Sequence, residues 1–322
     1  MHRLLTIIVI LALTAGAPAF AQDYPTKPVK VVIGFAAGGP TDVIGRIIAQ
    51  DMTASLGQSF VVENRTGANA IIATEAVARA APDGYTLLFS SLSLLVNAIL
   101  MENKVKYDPF KDFAPISNAA LLPMVIVTSP ETKINSLQEL IARAKAKPGE
   151  LTYGTPGHGG SAHLAGAMLE NLTGTKMTNV PFRGNAPALA EVMAGRVTFM
   201  FYPIIGIADQ VHAKKLKVLA VGTPARHPDF PDAPTTAESG YPALEETAPW
   251  VGMLAPTGTL PAIVNRLSDA MRKSLAKPET KERLKALGAI TVGDTPAEYL
   301  AFLKKDHERW ARVIKAAGVK AQ

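Results

Sequence analysis

Hydrophobic positions along this chain follow two periods that alternate. Val31, Val32 and Ile33 form a short unbroken apolar run, as in a strand buried on both faces, and from Thr41 the apolar residues Val43, Ile44, Ile47 and Ile48 recur at helical spacing. Residues 34–40 between them are too rich in glycine to extend either element. The rhythm then repeats: residues 59–65 read as a strand, 69–80 as an alanine-rich helix, 82–85 as a turn and 86–89 as a third strand. Strands alternating with helices predict a parallel sheet covered by helices, with ligands at the carboxyl ends of the strands. Ser90, Ser91 and Ser93 follow the third strand and so belong beside the first glycine turn.

Prolines at 109 and 115 break this pattern, and residues 121–129 read as a strand crossing into a second domain. There the α/β rhythm restarts. Ser136 caps a helix running to Ala146, with Glu139 placed to complete a capping box, and a strand begins at Leu151. Residues 154–174, GTPGHGGSAHLAGAMLENLTG, then repeat the opening arrangement of strand, glycine turn and helix start, the helix beginning at Ser161 with Leu164, Ala167, Met168 and Leu172 on one face. Strands at 179–182, 197–202 and 217–221 and a helix at 186–194 follow. A proline-rich passage over 226–249 leads to a return strand at 250–255. The helices at 261–276, 278–287 and 295–317 are left to cover the first sheet. The expected domains are 22–123 with 242–322, and 124–241.

Each glycine turn offers backbone N–H groups at the positive end of a helix dipole, a device that binds carboxylate or phosphate without catalysing anything. In the first turn Gly38 and Gly39 carry no side chain to keep an anion away. A nucleotide loop is disfavoured in the second: Gly154, Gly159 and Ser161 stand at the right spacing, but Gly160 occupies the position of the phosphate-binding lysine. Gly157, Gly159 and Gly160 also misplace the third glycine of a dinucleotide fingerprint.

Composition narrows the setting. With 322 residues, 48% hydrophobic and 19% charged, the chain is a packed globular protein. Residues 1–21 read as an export signal: Arg3, an apolar core over 4–13, and Ala19-Phe20-Ala21 before a cleavage after Ala21. An exported chain without cysteine has no disulfides and no lipid-modified cysteine, which points to a soluble protein of the bacterial periplasm. The net charge of +6 suits anionic ligands, but the basic residues are scattered, so nucleic acid is not an expected partner.

Read in order, FAAGGPTDVIGR, FVVENRTGANA, APDGYTLL, DPFKDFAPI, YGTPGHGGSAHLAG, VPFRGNAPAL, PTTAESGYP, APWVGMLAPTGT and RWARVIKAAGVK resemble the substrate-binding proteins of tripartite tricarboxylate transporters, the Bordetella uptake gene family. The resemblance implies a two-domain, type II "Venus-flytrap" periplasmic binding protein with two crossover strands at its hinge. Such a protein acts as a monomer, needs no cofactor, and delivers a small carboxylate, aliphatic or aromatic, to integral membrane transporter subunits. Carried onto this chain, the implied ligand positions are Phe35, Ala37, Gly38, Gly39 and Asp42 in the first turn, Ser90 and Ser91 after the third strand, and Gly157, Gly159 and Ser161 in the second turn. Arg183 and Gly184 complete the wall. Two departures stand out. The family's G-A-G-G is here Gly67-Ala68-Asn69-Ala70, expected to alter only a surface turn. Its aspartate after the F-x-F strand is here Tyr202, which favours an uncharged or aromatic distal end of the ligand.

Several of these residues have ordinary alternatives. Asp42 would repel a bound carboxylate and suits a role holding the turn; Arg183 serves a carboxylate or a surface ion pair equally well. Trp250 either lines the cleft or anchors the return strand. His158 and His163 lack a third metal ligand nearby. A hydrolase would require Ser161 to pair with His163, which two-residue spacing at a helix start does not allow. A ligand-sensing module for a regulatory partner would share the same fold.

Overall fold

The computed structural model of the chain describes residues 24–101 and 104–319, so the expected export signal and its cleavage point lie outside the described residues. The first domain opens with β1 (Val29–Ile33), α1 (Pro40–Leu56), β2 (Phe60–Asn64), α2 (Ile71–Ala78), β3 (Thr86–Ser91), α3 (Ser93–Leu100) and β4 (Phe113–Leu121). The second holds β5 (Met124–Thr128), α4 (Leu137–Ala146), β6 (Thr152–Thr155), α5 (Ser161–Thr173), β7 (Thr178–Pro181), α6 (Asn185–Met193), β8 (Phe199–Pro203), α7 (Ala208–His212) and β9 (Lys217–Val221). The chain then returns through β10 (Trp250–Pro256) to α8 (Pro261–Ala276), α9 (Pro278–Ala286), β11 (Ile290–Thr291) and α10 (Pro296–Ala317). Two mixed sheets result, ordered β11-β4-β10-β3-β1-β2 and β7-β6-β8-β5-β9.

The apolar runs are continuous because both faces of the first sheet are covered. Val29, Val31, Ile33, Leu87 and Phe89 face one core with Ile44 and Ile48 of α1 and Leu267 of α8. The alternate residues Val32 and Leu88 face another, with Val77 of α2, Leu95 of α3 and Leu303 of α10. Each core also takes in residues of the second sheet: Val125, Val127 and Met200 in the first, Ile126, Phe199 and Phe201 in the second.

The crossing between domains differs from the single strand expected over 121–129. It is two strands, β4 in one sheet and β5 in the other, broken at Leu122-Pro123. Leu122 donates its N–H to Pro249 O at 2.8 Å, tying the outward crossing to the return, and Ile204 N–H donates to Pro123 O at 2.8 Å. Pro115 falls inside β4. The pairing with β10 slips there, Met253 opposite Ser117 and Leu254 opposite Pro115, so Ile116 is extra and the missing proline N–H breaks no regular ladder.

The terminal helices do more than cover the first sheet. Helix α10 packs on β4 and also against α5 of the second domain, where Asn171 Nδ2 donates to Ala316 O. Leu172, placed on the apolar face by spacing, is 46% exposed because α5 turns that edge outward. Trp250 is an anchor: fully buried, it stands edge-on to Tyr299 and donates Nε1–H to Asp306 Oδ2 at 2.7 Å. Arg309 pairs with the other oxygen of Asp306 at 2.6 Å. Replacing Asp306 with alanine leaves the buried indole N–H without its acceptor. The expected loss is about 2–3 kcal/mol of unfolding free energy, read by urea denaturation with an unchanged slope.

Candidate functional site

Four strands point their carboxyl ends at the gap between the domains, and each leads toward a helix that starts there: β1 to α1 and β3 to α3 in the first domain, β6 to α5 and β7 to α6 in the second. The starts converge on one small cavity of about 20 Å³, lined by Pro40 and Thr41 of α1, Ser93 of α3, Ser161 of α5 and Asn185 of α6. That is room for about one water. Its remaining walls include Leu122, Pro203 and Pro249, so the hinge borders the site. None of the N-cap residues Gly39, Leu92, Gly160 and Gly184 supplies a side-chain cap, whereas Ser136 and Thr295 do cap α4 and α10, which start elsewhere. The first-turn N–H groups of four helices, two from each domain, therefore converge with their positive dipole ends on one point.

A larger cavity of about 300 Å³ adjoins it, and Phe35, Asn69 and Pro156 line both. Its walls are Gly34, residues 67–70 and Met101 on one side, and Gly157, His158 and residues 181–183 on the other. Among the described residues no aspartate, glutamate or lysine lines either cavity, and Arg183 is the one arginine, on the exposed rim. The domains touch across the gap: Ala36 N–H donates to Arg183 O at 3.3 Å, and a Cβ at Gly184 would lie 3.1 Å from Ala36 N.

The two glycine turns share one hydrogen-bond plan. Gly38 (φ +77°) and Gly159 (φ +75°) sit in the left-handed region, and each donates its N–H to the side chain four residues on, at the third helical position. The acceptor is Asp42 Oδ2 at 2.9 Å in the first turn and His163 Nδ1 at 3.0 Å in the second. Asp42 also accepts from Asn64 Nδ2 at 2.8 Å and from Arg46 Nε at 2.9 Å. Burial alone would raise its pKa, but these bonds and the Arg46 charge outweigh that and hold the carboxyl below its ordinary value. Burial, reinforced by the neighbouring His158, holds the His163 imidazole down at about 4.

This plan corrects the expected role of the turn glycines. The Gly38 N–H is given to Asp42 and the Gly39 N–H to Ala36 O at 3.4 Å, while Ala37 and Gly38 lie exposed at the tip. Thus Ala37, Gly38, Gly39 and Asp42 shape the turn but line neither cavity, whereas Pro40 and Thr41 at the helix start behind it line the smaller one. Phe35, Ser91, Gly157, Ser161 and Arg183 do line the cavities. Ser90 is paired opposite Gly252 inside the first sheet, and Gly159 and Gly184 are contact points between the domains. Tyr202 is 3% exposed within the core of the second domain and lines neither cavity, because β8 turns it to the face covered by α6. The segment 67–70 is no surface turn: Asn69 is buried and Ala68, Asn69 and Ala70 all have positive φ. Ser93, expected beside the first turn, also lines a cavity, as do Thr41, Asn69, His158 and Asn185, which the sequence pattern does not single out as cavity-lining.

A family model described as the tripartite tricarboxylate transporter family receptor matches residues 44–319. The solved structure of the periplasmic binding protein BugD is 36% identical, covering 93% of this chain and all of that one, with a TM-score of 0.88. Two Rhodopseudomonas palustris proteins are similar as well. One, solved with adipate, is 32% identical over 93% of this chain and 100% of its own, with a TM-score of 0.89. The other, MatC with bound malate, is 31% identical over 90% of this chain and 100% of its own, with a TM-score of 0.85.

The neutral His163 makes stability depend on pH. An unfolded imidazole protonates near its ordinary 6.5 and the folded one only near about 4, so stability is complete above pH 6.5 and declines as pH falls toward 4. The loss is on the order of 3 kcal/mol. His163→Asn keeps an acceptor for Gly159 but removes this titration. Its unfolding free energy, measured in urea at stepped pH, is expected to vary less across that window than the parent's, by up to about one proton.

Proposed function

This chain belongs to the tripartite tricarboxylate transporter receptor family, and from that membership we propose that it captures a small organic carboxylate between its two domains and presents it to a membrane transporter. The convergence of four uncapped helix starts carries this reading. Converging helix dipole ends favour an anion, each exposed end contributing about 0.3–1 kcal/mol and more where water is excluded. We assign one oxygen of the carboxylate to the small cavity, held by the helix starts at Thr41, Ser93, Ser161 and Asn185, and the rest of the ligand to the larger cavity, walled by Phe35, Gly157, Phe182 and the rim residue Arg183.

Each domain supplies half of the donors, so the anion binds the closed arrangement better than the open one, and that difference drives closure. The domains divide at 22–123 with 242–322 and at 124–241; the break at Leu122-Pro123 supports the first boundary. Export by the segment ending at Ala21 places the chain in the periplasm, the compartment of BugD. No chemistry on the ligand is part of this reading. The N–H of Gly159 occupies His163 Nδ1, which leaves Ser161 without that nitrogen as a base.

Calorimetric melting with linear mono- and dicarboxylates of three to six carbons is the direct test. At least one acid is expected to raise the midpoint, with about 2.7 kcal/mol of stabilisation at a hundredfold excess over Kd. No shift with any acid at millimolar concentration overturns the proposal. Gly184→Val places a side chain against Ala36 across the gap. With the fold checked by circular dichroism, it is expected to weaken binding about tenfold or more by depleting the closed form.

A further inference from the structure

Asn69 holds a polar atom that the helix starts do not account for. Asn97 Nδ2 donates to the backbone oxygen of Asn69 at 2.8 Å. A carbonyl only accepts, so that end of the Asn97 amide is its nitrogen and the other end its oxygen. Asn97 Oδ1 in turn accepts from Asn69 Nδ2 at 3.0 Å, which orients the second amide as firmly as the first. The free end of Asn69 is therefore Oδ1. It is buried with no hydrogen-bond partner among the described residues, on a residue 7% exposed that lines both cavities. From the other domain, Asn185 Oδ1 is likewise buried and unpartnered at the small cavity.

Asn69 Oδ1 is an acceptor, whereas the helix starts are donors. A plain carboxylate answers the donors and leaves this acceptor unmet, a penalty for any closed complex. The single O–H of a hydroxyl close to the carboxylate answers it. An ammonium group would donate as well, but no aspartate or glutamate lines either cavity among the described residues, and Asp42 is committed to Gly38, Asn64 and Arg46. A cation buried beside four positive helix ends would have no compensating charge.

We propose that Asn69 is a specificity-determining residue of the cleft, and that it selects hydroxy acids over the corresponding plain and amino acids. This deepens the carboxylate reading above and rests on it. Asn69 reaches the second domain only when the domains meet, since a Cβ at Gly157 would lie 3.3 Å from Asn69 Cβ. Its choice is accordingly made on closure.

The test is isothermal titration of the purified chain with matched acids: malate, succinate and aspartate, then lactate, propionate and alanine, then 2-hydroxyadipate, adipate and 2-aminoadipate. In a set that binds, the hydroxy member is expected to bind about five- to tenfold tighter than the plain one, and the amino member no tighter than the plain one. Asn69→Gly keeps a residue suited to φ +50° and removes the amide. It is expected to erase the hydroxyl preference by tightening the plain acid toward the hydroxy acid, because the acceptor that the plain acid left unmet is gone. A merely structural role would weaken both acids alike and leave their ratio intact. Equal binding of hydroxy and plain acids, tightest binding of the amino acid, or a preference that survives in Asn69→Gly overturns this inference and leaves the carboxylate reading standing. Binding of no acid in any set overturns the carboxylate reading itself.

Discussion

Four helix starts whose N-cap residues supply no side-chain cap face one another across a gap barely large enough for a water, and the rest of the molecule is arranged around that fact. Bringing like dipole ends together and burying their N–H groups is unfavourable without an acceptor. The strain is tolerable because the helices are held from behind: α1 packs its Ile44, Ile47 and Ile48 on the first sheet, and α5 buries Leu164, Ala165 and Leu169 in the second domain. The sheets do the aiming. Parallel strands present their carboxyl ends together, so helices that follow them share a direction.

The twin turns show how one backbone device adapts to its electrostatic setting. Asp42 and His163 do the same mechanical work, each accepting the N–H of a left-handed glycine four residues earlier. A carboxylate in both turns would set two negative charges beside the converging helix starts. In the first turn Arg46 offsets the charge, and in the second a neutral imidazole avoids it, kept neutral by its own burial. Both turns thus keep their shape while the field at the cleft stays favourable to an anion.

Motion between the domains is channelled by what joins them. The two crossings are hydrogen-bonded to each other through Leu122 and Pro249, and Gly206 of the second domain donates to Leu287 O behind the hinge at 3.3 Å. Helix α10 lies on the first sheet yet touches α5 near its carboxyl end, so a change in the angle between domains must pass through that contact as well. The hinge residues Leu122, Pro203 and Pro249 border the small cavity, which puts the pivot and that cavity at the same depth.

Much of this was legible in the residues. The apolar runs and helical spacings marked β1, α1, β3 and α5, and Ser136 marked a helix start, because local backbone preference and burial agree there. The repeated strand, glycine turn and helix start in residues 31–50 and 151–174 located both halves of the cleft. Other features depend on contacts between residues far apart in the chain. Pro115 sits in a strand because a bulge against β10 absorbs it, and Tyr202 is core because α6 covers its face. Whether Gly38 keeps a free N–H was decided by where the Asp42 side chain turns, and whether Asn69 lies on the surface was decided by Asn97 and Gly157 closing over it. The sequence by itself determined the elements and the two glycine turns, since both follow from short-range periodicity and backbone preference. Only the tertiary structure decided which donors and acceptors remain unmet, because that depends on what each polar group finds once the chain has packed.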